Sequence, residues 1–224
     1  MDIRIKQVNS ALFSFSRSIV LIIHFVLISS GCITTNYYTG RTLEKGRTVL
    51  TPGVDNLLLI ERESGVVEKN LAFSISMGFA TGLPLRFETG LRCYFPFIWE
   101  ANLRHQITPR SFDWFDLSAN FHAGIVFSTR FEGVSPPYYK YGFTLSKEIL
   151  SLQPFISYYL NNKFKFERVD ERTDFRIISF GIAIPNDVDL IIPECSYYRS
   201  PSRKDFYSIG IGLRADLSRS KAKE

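Results

Sequence analysis

Cysteine, histidine and tryptophan are scarce in this chain of 224 residues, which has 3 Cys, 3 His and 2 Trp. The cysteines and histidines form neither a CxxC motif nor another metal-ligand spacing, so neither a zinc site nor a redox motif is supported. The sequence also lacks a GxSxG nucleophile motif and a glycine-rich phosphate loop. We therefore expect no cofactor, no metal site and no enzymatic activity.

The chain also lacks a large excess of positive or negative residues, because its formal net charge is only +5. Nucleic-acid binding requires a clustered basic face, and the charges here are spread along the chain, so we expect no nucleic-acid partner. Long hydrophobic runs are limited to Ile19–Ile28, which is too short for a helix that spans a bilayer. Basic residues precede this run, which is typical of a secretory signal peptide over residues 1–31.

The apolar run is followed by Ser29-Ser30-Gly31-Cys32. Small residues that end at a cysteine resemble the lipobox of bacterial lipoproteins, and this resemblance implies cleavage before Cys32 and lipid attachment to it. Ile33, rather than Asp, follows the cysteine, which resembles an outer-membrane sorting signal. The match departs from the usual pattern at Ser29, where the family has Leu. The alternative is an ordinary secretory signal cut near Gly31.

A hydrophobic period of two dominates the rest of the chain and predicts β-strands. It is clearest in a hairpin from Leu71 to Phe95 with a turn at Thr81–Pro84, where one face is apolar and the other is small or charged. Similar segments and turn signals continue to Leu217. They predict an all-β, antiparallel up-and-down transmembrane β-barrel of about ten strands, with 8 or 12 as alternatives. The predicted parts are a tether (32–45), the barrel (46–217) and a polar tail (218–224).

The segment Tyr38–Arg47, YTGRTLEKGR, supports this interpretation. It resembles the opening of many small bacterial outer-membrane β-barrel proteins, where a T-A-R-T-L-x-K-G phrase leads into the first strand. The resemblance implies the fold and the outer membrane, and it does not imply a specific role.

The predicted connections fall into two groups. Those that follow even-numbered strands are short: Thr81–Pro84, Thr108–Asp113, Glu148–Ser151 and Pro185–Asp187. Those that follow odd-numbered strands are mostly longer and charged: Glu61–Lys69, Phe131–Pro137, Asn161–Arg172 and Tyr198–Asp205, with the short Pro96–Ile98 as the exception. Short periplasmic turns and long outer loops are typical of outer-membrane barrels.

A soluble lipocalin-like barrel would alternate in the same way, with its apolar face turned inward. The small residues opposite the apolar face and the aromatic residues near strand ends favour the membrane. We therefore expect an outer-membrane β-barrel lipoprotein with a structural, adhesive or narrow-pore role. Its expected partners are membrane lipid and an extracellular ligand at the loops, and its oligomeric state is open. The alternative is a lipid-anchored periplasmic lipoprotein that binds a hydrophobic ligand in an apolar interior.

In the membrane register, charged side chains point into a narrow lumen, where unpaired charges are costly, so we expect ion pairs. The predicted lumen charges are Arg86, Glu88, Arg92, Arg104, Asp116, Arg214 and Asp216, and Glu100 faces the same way. The same register places His105 towards lipid and His122 in the lumen at mid-height. Neither histidine reaches the outer rim, where a substrate would arrive.

Overall fold

A computed structural model describes residues 37–61, 72–95, 98–126, 137–163, 174–186, 189–199 and 204–218. These ranges contain ten β-strands and a short 3-10 turn at Pro84–Arg86. The strands are β1 (Thr48–Glu61), β2 (Ala72–Gly82), β3 (Phe87–Phe95), β4 (Ile98–Gln106), β5 (Asp116–Val126), β6 (Tyr138–Ser146), β7 (Gln153–Lys163), β8 (Phe175–Pro185), β9 (Asp189–Arg199) and β10 (Lys204–Asp216). Among the described residues, no helix has the length and apolar character needed to cross a membrane.

Each strand pairs antiparallel with the next, and β1 pairs with β10, so the sheet closes into a barrel. The closing seam runs from Val49 opposite Asp216 to Glu61 opposite Lys204. Closure pairs the backbone groups that an edge strand would leave open. The predicted closed antiparallel barrel of about ten strands is therefore confirmed.

The strands turn large apolar side chains outward. In β6, the burial of successive residues alternates strictly, with Tyr141 and Phe143 exposed between buried neighbours. The same pattern recurs around the barrel, and the exposed apolar residues of the strands include Phe79, Leu91, Phe95, Trp99, Leu103, Phe121, Phe143, Ile156, Phe180, Ile209 and Ile211.

The barrel interior is polar. Its buried residues include Ser76, Glu88, Arg92, Glu100, Asn102, Arg104, Gln106, Asn120, His122, Lys140, Thr144 and Glu194. Buried apolar residues form small separate clusters, such as Tyr94 with Ile98 and Tyr138. The described residues therefore do not form the apolar interior that the lipocalin-like alternative requires.

The two ends of the barrel differ in their connections. The end where β1 begins and β10 finishes, here called the short-turn end, carries the connections 83–86, 107–115, 147–152 and 186–188. The opposite, long-loop end carries the connections 62–71, 96–97, 127–137, 164–174 and 200–203, which lie largely outside the described residues. The predicted inner turns thus share one end of the barrel, and the predicted outer loops share the other.

Candidate functional site in the barrel lumen

Residues 37–44, here called the plug, enter the barrel lumen, and all of them are buried except Arg41 and Glu44, whose side chains are 45% and 73% exposed. The sequence predicted a polar tether over residues 32–45, but Tyr37 is 1% exposed, Tyr38 7%, Thr39 2% and Leu43 4%. One cavity between the plug and the wall, around Val49 and Ala80, has a volume of about 10 Å³, which is room for roughly one water. The second half of the predicted tether is therefore part of the packed interior.

Tyr37 fixes the upper end of the plug at about mid-height in the barrel. Its backbone N–H donates to Glu194 Oε2 over 2.7 Å, and its hydroxyl lies within hydrogen-bond distance of two acceptors, Val54 O at 2.9 Å and Asp55 Oδ1. The ring lies against glycines of the wall, because a Cβ at Gly212 would stand 2.5 Å from the ring Cγ. The small inward residues of β10 thus make room for an aromatic ring.

Tyr38 lies between two buried arginines. The Arg104 guanidinium carbon lies 4.6 Å from the centroid of the Tyr38 ring, and that of Arg92 lies 5.1 Å from it. Such cation–π contacts strengthen where water is excluded. The Tyr38 hydroxyl also accepts a hydrogen bond from Asn102 Nδ2 over 2.7 Å.

Wall side chains, rather than another strand, satisfy the backbone of the plug. Gly40 N donates to Ser146 Oγ over 2.9 Å, Thr42 N to Gln106 Oε1 over 3.2 Å, and Leu43 N to Glu88 Oε2 over 2.9 Å. Thr39 O accepts a hydrogen bond from Arg104 Nη2. Because buried backbone groups need partners, these contacts account for much of the polar character of the lumen.

Four of the predicted lumen charges are buried in the wall around the plug. Glu88, Arg92, Arg104 and Asp116 are each at most 3% exposed. Arg104 Nη1 lies 2.8 Å from Glu88 Oε1, and Arg104 Nε donates to Asn120 Oδ1 over 3.0 Å. Asp116 Oδ2 lies 3.1 Å from Nε of Arg41 in the plug. Three of these four charges therefore contact the plug through a hydrogen bond or an ion pair, and Arg92 contacts it through the Tyr38 ring.

Arg214 and Asp216 lie closer to the short-turn end than the plug contacts described above, at the mouth of the barrel. There Arg47 Nη2 lies 2.9 Å from Asp189 Oδ1, and Arg47 Nε lies 2.9 Å from Asp216 Oδ2. Arg214 pairs with the other oxygen of Asp189. A cavity of about 290 Å³ opens here, lined by Arg41, Arg47, Arg110, Arg214, Glu44 and Gln153 among others.

Arg86 is placed differently from its prediction. It belongs to the 3-10 turn, with a φ of 64°, and its Nη1 donates to Ile107 O over 3.2 Å. The predicted alternation ran straight through Pro84, but the turn places Leu85 and Arg86 in left-handed backbone before β3 begins at Phe87. Arg86 is therefore a turn residue, not a wall residue of the lumen.

A second buried polar group lies above the plug and is centred on Glu100. Its oxygens lie 2.9 Å from His122 Nδ1, 3.1 Å from Lys140 Nζ and 2.8 Å from the Tyr138 hydroxyl. His122 Nε2 has no hydrogen-bond partner among the described residues. The sequence identified Glu100 and His122 as inward-facing but predicted none of these contacts, because they join residues of β4, β5 and β6 at one height of the closed barrel.

His105, Cys93 and Cys195 take part in none of the lumen contacts described above. His105 is partly exposed on the outer face, where its ring stacks on Phe87 with centroids 4.4 Å apart. Cys93 and Cys195 are both free thiols. In the described ranges, no group of three or more His, Cys, Asp or Glu side chains is placed to hold a metal ion. Cys32 and the predicted signal peptide lie outside the described residues.

No protein-family model and no curated protein sequence matches the chain. Among solved structures, the barrel is similar to Ail, the attachment invasion locus protein of Yersinia pestis, with 10% identity, 77% of this chain and 98% of that chain covered, and a TM-score of 0.33. Ail in complex with the heparin analogue sucrose octasulfate gives 11% identity, the same coverage and a TM-score of 0.31.

Neisserial surface protein A, NspA, is also similar, with 10% identity, 76% of this chain and 97% of that chain covered, and a TM-score of 0.28. These identities and TM-scores are too low to bear on the function. The fold rests on the strand pairing described above, and the arrangement of the lumen rests on the contacts of the plug.

Proposed function

We propose that the chain is an outer-membrane β-barrel with its short-turn end in the periplasm and its long loops at the cell surface. The observation that carries this proposal is the apolar outer face of the wall. Leu91 is 58% exposed, Phe143 54% and Ile209 66%. Scattered apolar residues are normal on a soluble surface, but a contiguous belt of this size indicates a hydrophobic surrounding. A lipid bilayer is a hydrophobic environment that surrounds a barrel on all sides.

The dimensions of the strands agree with a bilayer. They have between 9 and 14 residues, and a strand tilted by about 45° needs roughly 9–11 residues to cross the hydrocarbon core. Aromatic side chains lie near both ends of the belt. At the short-turn end Trp114 is 73% exposed, and towards the long-loop end Phe95 and Trp99 are 49% and 50% exposed. Two such levels correspond to the aromatic girdles of membrane barrels.

Extraction tests the membrane assignment. The Cys32→Ala variant removes any lipid anchor, so only the barrel can then hold the protein in the membrane. We expect this variant to stay in the membrane fraction through a high-salt and alkaline wash, to require detergent, and to migrate differently on gels before and after boiling. A freely soluble, monomeric Cys32→Ala protein would contradict the proposal.

The function proposed for the barrel is that of a closed scaffold that presents its outer loops, in a structural or adhesive role. The filled lumen supports this role over a narrow pore, because the plug and the Glu100 group occupy successive heights of the interior. The long outer connections carry several charged residues that could contact an extracellular ligand. Purified protein in planar bilayers should show no stable conductance, and a reproducible single-channel current from the wild type would favour the pore.

The lipid anchor is part of the same proposal and rests on the lipobox-like sequence before Cys32. Growth with an alkyne fatty acid should label the wild-type protein and leave the Cys32→Ala variant unlabelled. Cys93→Ala is the matched control, since Cys93 is a buried residue of β3 and should keep the label. Equal labelling of wild type and Cys32→Ala would place the lipid elsewhere.

A further inference from the structure

The cavity at the short-turn end, here called the mouth cavity, is lined by four arginines from four separate parts of the chain. Arg41 belongs to the plug, Arg47 precedes β1, Arg110 lies in the connection 107–115, and Arg214 lies on β10. The volume of about 290 Å³ is room for on the order of ten waters, or for a small organic ion. Among the described lining residues, Glu44 is the one carboxylate. The mouth cavity therefore presents mainly cationic side chains to a ligand that enters it.

Carboxylates outside the lining hold two of these arginines in place. Asp189 accepts a hydrogen bond from Arg47 Nη2 on one oxygen and from Arg214 Nε on the other. Asp216 accepts a further hydrogen bond from Arg47 Nε over 2.9 Å. The two guanidinium groups are thus placed side by side on one carboxylate before any ligand arrives. Such preorganisation lowers the entropy cost of binding, because the ligand need not order these side chains.

The contacts of the arginines leave N–H groups for a ligand. Each guanidinium has five N–H donors. Within the part of the chain that the structure describes, Arg214 donates only through Nε, and Arg47 donates through Nε and Nη2 but not through Nη1. Nη2 of Arg41 likewise donates no hydrogen bond to a described residue. Because neighbouring carboxylates balance much of the charge, these directed donors would recognise an anion more than net charge would.

Arg110 lies at the open side of the mouth cavity. Its Nη2 donates to Thr42 O over 3.3 Å and to Leu43 O over 3.0 Å, and its Nη1 lies 3.1 Å from Glu44 Oε1. The Arg110 side chain is 36% exposed and that of Glu44 is 73% exposed, whereas that of Arg214 is only 17% exposed. The exposed Glu44 carboxylate therefore competes with an entering anion for Arg110.

We propose that the mouth cavity binds a small anion that carries phosphate or carboxylate groups, with Arg214 and Arg110 as its principal donors. Planar guanidinium groups match the oxygens of both kinds of group, so phosphate esters and small polycarboxylates share this chemistry. In the proposed membrane orientation the mouth cavity faces the periplasm, and that placement rests on the proposed function. The binding itself does not, because it is measured on the purified protein in detergent.

Isothermal titration calorimetry at low salt, with pyrophosphate and with malonate, tests the inference and distinguishes the two kinds of anion. We expect saturable binding of at least one of them to the wild type. Arg214→Gln should weaken that binding by about tenfold, because it removes hydrogen bonds between charged groups. Glu44→Gln should instead tighten it by about threefold, because Arg110 loses its competing partner. Arg176→Gln is the matched control, since it removes the same charge from β8 at the long-loop end and should leave the affinity unchanged.

Heat-dependent gel migration confirms that each variant is folded. Arg110→Gln replaces Arg214→Gln if the latter fails to fold, since Arg110 lies in a connection rather than in a strand. A wild type that shows saturable binding of neither anion would overturn the inference. Equal affinities of Arg214→Gln and Arg176→Gln would also overturn it, because the anion would then respond to overall charge and not to the mouth cavity. Neither result bears on the extraction test, so the site and the membrane assignment can fail separately.

Discussion

Removing one partner of the ion pair between Arg104 and Glu88 should be among the most destabilising single substitutions in the barrel. Both side chains are at most 3% exposed, their closest atoms are 2.8 Å apart, and each also bonds to the plug backbone, at Thr39 and Leu43. Arg104→Met keeps the volume of the side chain but leaves a buried carboxylate without its cation. Breaking a buried pair in this way costs about 3–5 kcal/mol of unfolding free energy.

A double-mutant cycle separates the pair from the rest of the site. Glu88→Gln keeps an oxygen that can accept from Leu43 N, and the double variant Arg104→Met/Glu88→Gln leaves no unpaired charge. We expect the double variant to recover stability relative to Arg104→Met, with a coupling energy of at least about 2 kcal/mol. Urea unfolding in lipid vesicles, followed by tryptophan fluorescence from Trp99 and Trp114, measures each stability.

The matched control is the pair between Arg41 and Glu148. Its side chains are 45% and 59% exposed and their closest atoms are 3.5 Å apart. Arg41 also pairs with Asp116, but both variants that carry Arg41→Met lose that contact, so it cancels from the coupling energy. A solvent-exposed pair contributes between 0 and about 1 kcal/mol, so the same cycle with Arg41→Met and Glu148→Gln should give little coupling. Coupling for Arg104 and Glu88 as small as in this control would refute the argument that the lumen excludes water around the plug.

Three further predictions concern the glycine that contacts the plug, the polar group centred on Glu100 and the apolar outer face. Gly212→Leu puts a side chain where the Tyr37 ring lies, because a Cβ at this position is only 2.5 Å from the ring Cγ. The variant should therefore displace the plug and raise planar-bilayer conductance above the wild-type level. Conductance equal to that of the wild type would argue that the plug does not close the lumen. Glu100→Gln removes the carboxylate that pairs with the buried Lys140 and should lower the free energy of unfolding by about 3 kcal/mol. The double variant Glu100→Gln/Lys140→Met should restore most of that loss. Phe143→Lys, in the middle of the apolar belt, should lower the free energy of unfolding in vesicles by about 2–4 kcal/mol. Leu85→Lys, in the turn, should lower it by less than about 1 kcal/mol. Equal losses in the two variants would contradict the membrane depth assigned to β6.

Alternation was enough to predict the barrel wall, because each strand repeats one local rule over many residues. Phe121 and His122 are adjacent in sequence, and the period of two alone places one outside and the other inside, as the structure does. The same rule was wrong at Arg86, since it was carried through Pro84 into a turn with left-handed backbone. Local periodicity fails where the chain leaves the sheet.

The plug could not be predicted, because residues 37–44 have no period and their burial depends on the closed barrel around them. Their polar character suggested a tether. The signals that could have identified the plug were two adjacent tyrosines in that tether, and inward glycines at Gly210 and Gly212 that leave space for a ring. Neither signal says which tyrosine meets which glycine, since that depends on the stagger of strands far apart in sequence.

The contacts of the plug also constrain the order of assembly. Tyr37 bonds to Glu194, 157 residues later in the chain, and Gly40 bonds to Ser146, 106 residues later. Contacts over such separations form late and slow folding, since much of the intervening chain must be placed first. The plug precedes every strand in the chain, whereas its partners Ser146 and Glu194 lie on β6 and β9. These contacts can form only after the strands that carry Ser146 and Glu194 have joined the sheet, so the segment that comes before every strand should be among the last to be fixed in place.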